Sequence, residues 1–391
     1  RFFVACIASI DLSNDSGIVS FDMTISDDDG ATWSPWRSIL QYFSSATTPF
    51  ALSIDKGWMT SDNDRGMQPA PPQGGDSAAL YLVYSLYNSS ESLGLAVNLL
   101  MITSTDGGQT WTDPVFLTAV KPTLEGQGYW GLGLAADAVT SDIYLACTNF
   151  SWLLKGKDLL IGTHVWAHTS ATEALGPSPV SVGHRRLNPE SRWSQTPIIE
   201  ADEAPYFFNL SSITPDPHLQ SLSDSLVVTS VAGYKGNIFV CFWYVDHPAN
   251  VKANVSFVFS HDGGSSWSSR VILPFQSGYP SAAFDSQGVL HLLVSQYDVS
   301  LNRSANLTSK GTTLTSDVDH IVYMRSQDFG ETFSTPITVA TFTLNGDANR
   351  CGDYSQLLVD PDDLLHFFWC GVDQTGQSRI FHSTNRKSNR A

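Results

Sequence analysis

An eight-residue pattern, Ser-x-Asp-x-Gly-x-Thr/Ser-aromatic, occurs four times along the chain. It reads SDDDGATW at residues 26–33, STDGGQTW at 104–111, SHDGGSSW at 260–267 and SQDFGETF at 326–333. The starts are 78, 156 and 66 residues apart, and the middle interval is twice the first. Internal repeats with periods this long are typical of arrays of supersecondary units and of β-propellers.

Each copy of the pattern is predicted to be the turn of a β-hairpin. Apolar segments flank it, for example VNLLMITS before and TDPVFLTA after the second copy. Glycine adopts backbone angles that other residues resist, the aspartate can accept hydrogen bonds from nearby amides, and the final aromatic can pack into the sheet. The four aspartates are therefore expected to be structural and to make poor acid–base groups: Asp28, Asp106, Asp262 and Asp328.

Two further apolar strands precede each predicted hairpin. The second unit has them at 55–62 and 79–87, and the later pairs lie at 129–137 and 142–150, 224–234 and 237–246, 279–288 and 289–298, and 354–363 and 364–373. Nearly continuous apolar strands suit sheets that are covered on both faces. These strands predict an all-β fold, a six-bladed β-propeller of four-stranded antiparallel blades. It forms a single domain over 1–391, with blades at 1–45, 47–120, 122–183, 195–275, 277–342 and 346–391.

The two terminal blades are each predicted to be one strand short. The first unit begins at its second strand, and the last unit ends after its third. Unpaired sheet edges invite pairing with another strand. We therefore expect either that the chain is trimmed from a longer one or that a neighbouring chain adds a strand, which would suit self-assembly into a fibre.

Asparagine sequons indicate the compartment and one face of the molecule. Seven Asn-x-Ser/Thr sequons predict a secreted, N-glycosylated protein. In the predicted topology all seven fall on the face opposite the repeated turns, which is therefore expected to be a glycan-covered rim: Asn14, Asn88, Asn149, Asn209, Asn254, Asn302 and Asn306. The net charge of -17 argues against nucleic-acid partners, and no segment has the length of a membrane span.

The five cysteines form no metal-binding spacing. Cys351 and Cys370 flank the last predicted hairpin within cross-strand reach, so we expect a disulfide between them. Cys6, Cys147 and Cys241 are expected to be buried thiols. Single histidines such as His261, His291 and His366 indicate no metal site, and no cofactor is expected.

The repeated turn resembles the Asp box, or BNR repeat, of the sialidase superfamily, and the resemblance extends over nearly the whole chain. It implies the β-propeller fold, whereas function depends on the site, because many propellers without sialidase activity carry Asp boxes. A sialidase uses three arginines, a Tyr nucleophile paired with a Glu, and an Asp acid–base. Arginine forks bind the sugar carboxylate, and the Tyr nucleophile is an exception among glycosidases.

The resemblance assigns only part of a sialidase site. In GDYSQL (352–357), Tyr354 matches the nucleophile, with Arg350 just upstream, although a structural strand-start role for Tyr354 is the alternative. Asp55 is a candidate acid and Glu203 a candidate partner of Tyr354, each against a loop or turn-capping role.

The family's Phe/Tyr-Arg-Ile-Pro motif is missing. The arginines of GHRRLNPESRW are interpreted as a solvated loop: Arg185, Arg186 and Arg192.

Two functional hypotheses follow from these residues. The first is a secreted propeller that binds glycans or extracellular proteins, or builds extracellular structure, without catalysis. The second is an exo-acting, sialidase-like glycoside hydrolase that uses Tyr354 as nucleophile. A glycosidase or lyase of other specificity is a third alternative.

Overall fold

The structure is a computed structural model, and its described residues form two compact units, residues 1–211 and 212–391. The described residues are 2–12, 16–28, 31–44, 51–62, 79–90, 94–118, 127–137, 139–140, 142–153, 158–168, 194–199, 229–245, 253–275, 277–297, 314–346, 355–360, 362–372 and 378–385. All regular secondary structure among them is β-strand. The predicted all-β class is therefore confirmed.

The first unit contains three blades made of consecutive antiparallel strands. The first blade has the order β1 (Phe2–Leu12), β2 (Ser16–Ser26) and β3 (Arg37–Ser44). The second comprises β4 (Ala51–Asp62), β5 (Ala79–Ser90), β6 (Gly94–Ser104) and β7 (Val115–Phe116). The third comprises β8 (Gln127–Ala136), β9 (Ile143–Leu153), β10 (Asp158–His168) and β11 (Ser194–Ile199). A short parallel pairing of β6 with β8 joins the second and third blades into one eight-stranded sheet.

The second unit contains the other three blades. The fourth has the order β12 (Thr229–Tyr234), β13 (Asn237–Val245), β14 (Ala253–Ser260) and β15 (Val271–Ile272). The fifth comprises β16 (Ser277–Phe284), β17 (Leu290–Tyr297), β18 (Leu314–Ser326) and β19 (Ile337–Gly346). The sixth has three strands among the described residues: β20 (Ser355–Val359), β21 (Leu365–Val372) and β22 (Ser378–Thr384). Within the described ranges, four-stranded inner blades and three-stranded terminal blades agree with the sequence prediction.

The repeated turns join the third and fourth strand positions of their blades, as predicted. They connect β2 to β3, β6 to β7, β14 to β15 and β18 to β19. In contrast, β11 lies in the range that the sequence assigned to the fourth blade but pairs with β10 of the third. No copy of the repeated turn precedes β11, so the spacing of the repeats did not predict its pairing with β10.

Apolar side chains from successive blades pack against each other within each unit. In the first unit, Phe21 of the first blade packs with Tyr84 and Ile102 of the second. In the second unit, a cluster joins the fourth and fifth blades: Phe239, Phe257, Leu292 and Met324, with Phe333 against them. Each such blade is therefore covered by its neighbour in the chain, which explains why its strands are nearly continuously apolar.

The first strands of three blades carry a β-bulge at the same place. In β4, residues 56–57 lie opposite Tyr84; in β8, residues 131–132 lie opposite Cys147; in β16, residues 279–280 lie opposite Val294. Tyr279 has a left-handed backbone conformation there, with φ 47°. Bulges bend a strand and redirect its side chains, and they occur often beside binding sites.

One expectation about burial is wrong, and the packing of the final aromatic differs between copies of the repeated turn. Cys6 is exposed; it lies on the edge strand β1 and is paired with Asp22. Trp33 is 45% exposed, whereas Trp111 and Phe333 pack against clusters that include side chains of the preceding blade.

Candidate functional site

The repeated turns hold their aspartates in closed hydrogen-bond networks. Asp106 accepts hydrogen bonds from the Ser104 hydroxyl at 2.8 Å, from the Thr110 amide at 2.9 Å and from the Thr110 hydroxyl at 2.6 Å. The other three copies repeat this arrangement around Asp28, Asp262 and Asp328. The carboxylate oxygens are thus used inside the turn.

These networks stabilise the charged form of the carboxylates. The hydroxyl and then the amide of Ser266 lower the pKa of Asp262 to about 2. For Asp106, partial burial acts in the opposite direction, but hydrogen bonds from Thr110 and Ser104 outweigh it and lower the pKa to about 2. A general acid or base works best with a pKa near the working pH. The Asp-box carboxylates are therefore poor acid–base candidates.

A second repeated turn, between the first and second strands, was not found from the sequence. In the fifth blade, Oδ1 of Asp285 accepts hydrogen bonds from the amides of Gln287 and Val289, and Oδ2 lies 3.1 Å from Nε2 of His291. In the sixth blade, Asp360 accepts from the amides of Asp362 and Leu364 and lies 3.2 Å from His366. The shared spacing Asp-x5-His, in DSQGVLH and DPDDLLH, is the signal that could have revealed it.

The other ring nitrogen of the histidine contacts a different residue in each of the two blades. Nδ1 of His291 lies 2.8 Å from the hydroxyl of Tyr323, whereas Nδ1 of His366 lies 3.1 Å from Nε2 of His382. Burial lowers the pKa of His291. At neutral pH, His291 is therefore a neutral side chain, and its contacts with Asp285 and Tyr323 connect the turn to the sheet.

In the second unit both kinds of turn lie at the same end of the blades. The Tyr234 hydroxyl donates to the carbonyl of Ser286 at 3.2 Å, and the Ser286 amide donates to Asp363 at 2.9 Å. His261, in the third Asp box, lies within 3.3 Å of Glu331 in the fourth. A row of contacts therefore links the turns of successive blades.

The residues assigned by resemblance to catalysis are not brought together among the described residues. Tyr354, Arg350 and Glu203 lie outside them, as do Arg185, Arg186 and Arg192. Asp55 lies on β4, paired with Ser85, immediately before the bulge. Their roles stay predictions.

The strand that follows Tyr354 is fixed to the fifth blade. The Ser355 hydroxyl donates to the carbonyl of Tyr279 at 2.6 Å, and the Leu357 amide donates to the Ser281 hydroxyl at 2.8 Å. Ser230 accepts from the Ala282 amide at 3.0 Å in the same way one blade earlier. Serine hydroxyls thus connect the first strands of the fourth, fifth and sixth blades.

Three of the seven sequon asparagines lie on described strands. Asn88 is near the end of β5, Asn149 is on β9 and Asn254 is near the start of β14, all towards the second-to-third-strand connections. Asn14, Asn209, Asn302 and Asn306 lie outside the described residues. Cys351 does too, while Cys370 is on β21.

The described residues contain no group of three or more His, Cys, Asp or Glu side chains that could hold a metal ion. That part of the chain also holds no helix with the length and hydropathy of a membrane span.

Comparison with known proteins finds similarity in three-dimensional structure but not in sequence. No family model matches the sequence, and no curated protein matches it. The intramolecular trans-sialidase from Ruminococcus gnavus is similar with a TM-score of 0.50 at 10% identity, covering 98% of this chain and 94% of that one. The GH93 α-L-arabinofuranosidase of Fusarium graminearum is similar with a TM-score of 0.47 at 13% identity, covering 96% and 91%.

NanB, solved with Optactamide, is similar with a TM-score of 0.47 at 9% identity, covering 94% of this chain. The chain spans 66% of the length of NanB. At such identities the likeness concerns the fold and not the activity. Four-stranded antiparallel blades, Asp-box turns between their third and fourth strands and the likeness to the trans-sialidase over 98% of the chain together show a sialidase-like β-propeller fold.

Proposed function

We propose that the protein is a secreted, N-glycosylated, sialidase-like β-propeller that binds glycans or extracellular proteins without catalysis. The observation that carries this proposal is the composition of the described first strands, each of which is the innermost strand of its blade in a propeller. β4, β8, β12, β16 and β20 contain no arginine within their described bounds. A sialic acid carboxylate needs such a cationic fork.

The lack of arginine on these described strands bears on the class of ligand, because a sialoside carries a carboxylate and a neutral glycan does not. An uncharged glycan is therefore the ligand class that we favour over a sialoside.

The alternative is an exo-acting, sialidase-like glycoside hydrolase with Tyr354 as nucleophile and Arg350, Asp55 and Glu203 as its partners. The hydrogen bond from Ser355 to Tyr279 favours it, because a bond at the residue next to Tyr354 would restrain the nucleophile. Preorganisation of this kind is what a catalytic group requires.

Self-assembly is the second part of the proposal. The first and last blades each have three strands among the described residues, so their edges can receive a strand from another chain. Concentration-dependent association of the purified chain in light scattering would support it.

The deciding experiment is a hydrolysis assay with fluorogenic sialoside and arabinofuranoside substrates, combined with binding to arrays of neutral and sialylated glycans. We expect no turnover and binding to neutral glycans. Robust hydrolysis that disappears in Tyr354→Phe, with the fold intact by circular dichroism, would overturn the non-catalytic proposal and establish the alternative.

A further inference from the structure

His366 and His382 bring two imidazole rings together on the sixth blade. On β21 and β22, Phe368 is paired with His382, so the two histidines are diagonal neighbours on one face of the sheet. Nδ1 of His366 lies 3.1 Å from Nε2 of His382. The ring planes are within 8° of parallel and the centroids are 5.3 Å apart. Because this separation roughly equals the nitrogen–nitrogen distance plus two ring radii, the rings meet edge to edge.

Asp360 fixes the tautomer of His366. Its Oδ2 lies 3.2 Å from Nε2 of His366, and a carboxylate can only accept there, so Nε2 carries the proton. Nδ1 of His366 therefore presents a lone pair towards His382. The amides of Asp362 and Leu364 hold Asp360 in turn.

We propose that His366 and His382 form a binding site for a divalent transition-metal ion that prefers imidazole ligands, such as Cu²⁺, Ni²⁺ or Zn²⁺. The ion binds Nδ1 of His366 and Nε2 of His382 from beside the line that joins them. The proton that His382 carries on Nε2 leaves that atom and Nδ1 of the same ring takes one up, so that both rings stay neutral. Water fills the remaining coordination positions.

The nitrogen–nitrogen separation is close to that of a metal site, and the two rings must tilt so that both lone pairs point at the ion. Two nitrogens at about 2.0–2.1 Å from a tetrahedral zinc ion lie about 3.3–3.4 Å apart, and the observed separation is 3.1 Å. A carboxylate behind a ligating histidine is the arrangement that orients such ligands in metal sites. His382 is exposed, and the Phe368 ring stacks on it with centroids 4.6 Å apart, so the ion has an entry path and the ring a defined orientation.

The fifth blade supplies an internal comparison. Asp285 and His291 form the same pair, but their third partner is the Tyr323 hydroxyl. Burial raises the pKa of Tyr323, which keeps it a neutral phenol and a poor ligand. The fifth and sixth blades thus share the Asp–His pair, and only the sixth of these two blades adds a second imidazole.

Copper titration of the full chain without a histidine tag tests the site, followed by electron paramagnetic resonance and calorimetry. We expect one tightly bound Cu²⁺ per chain with nitrogen couplings from two imidazoles, and at least tenfold weaker binding in His382→Gln. Asp360→Asn should weaken binding by about tenfold or more, because His366 loses its orienting carboxylate.

The matched control is His261→Gln, which removes an exposed histidine bonded to Asn237 and Glu331 and not to a second imidazole. It should leave the affinity unchanged. Unchanged binding in His382→Gln, or an equal loss in His261→Gln, would overturn the proposal. Neither outcome depends on whether the propeller is catalytic.

Discussion

At the scale of single residues, the same side-chain types have roles that are set by their local hydrogen bonds. The Asp-box carboxylates are enclosed by their own turns, whereas Asp285 and Asp360 each connect a turn to a histidine on the next strand. The first role depends on neighbours within eight residues. The second depends on strand pairing that brings the histidine back to the turn.

Asp106→Asn should destabilise the protein in a pH-dependent way. The folded-state pKa of Asp106 is about 2, below the unfolded value of about 3.9. Its stabilising contribution is therefore complete above pH ~4 and is lost as the pH falls towards ~2. The difference in urea unfolding midpoint between wild type and variant should be largest near pH 7 and should shrink between pH ~4 and ~2.

Asp113→Asn, which changes an exposed aspartate just beyond the same turn, is the control and should have little effect. A wild-type to Asp106→Asn difference that stays constant down to pH ~2 would contradict the role assigned to this carboxylate.

At the scale of elements, side chains of one blade pack closely against the backbone of turns in the next blade. Gly288, in the turn between β16 and β17, has φ 81°, and a Cβ there would lie 2.5 Å from Cε1 of Tyr234 in the fourth blade. Gly263, in the third Asp box, has φ 69°, and a Cβ there would meet nothing within 4 Å. The two glycines therefore share a backbone conformation but differ in the space around them.

Gly288→Ala should destabilise the protein more than Gly263→Ala. Both variants place a side chain in the left-handed region, which costs about 1–2 kcal/mol. Only Gly288→Ala must also displace the buried Tyr234 ring, which adds an overpacking cost of about 1–3 kcal/mol. Free energies of unfolding from denaturant titration give the comparison, and equal losses would show that the Tyr234 ring moves aside without cost.

At the scale of the whole molecule, the fold distributes its features between two ends of the blades. In the described residues, Asp-box turns lie at one end of the third strand, and sequon asparagines lie towards the other, as Asn88 and Asn254 illustrate. We propose that sugars cover the second end and leave the Asp-box turns available for protein contacts. Secretion belongs to the same proposal.

Expression through the secretory pathway, followed by enzymatic deglycosylation in heavy-oxygen water and mass spectrometry, should find sugar on several of the seven sequons. Asn237, which lies at the Asp-box end of the fourth blade and outside any sequon, serves as the unmodified control. A secreted protein without sugar at any of the seven asparagines would contradict the glycan-covered rim.

The sequence by itself determined the strand order within the blades other than the third, the three strands that the described residues of each terminal blade form, and the Asp-box hairpins, because these features depend on contacts within a few residues and on apolar patterning. Only the tertiary structure decided that β11 pairs with β10, that Cys6 is exposed and that Ser281 accepts a hydrogen bond from the next blade. It also decided that His366 meets a second histidine while His291 meets a tyrosine. Those outcomes depend on which distant segments come into contact, and a local pattern of residue types does not specify its distant partner.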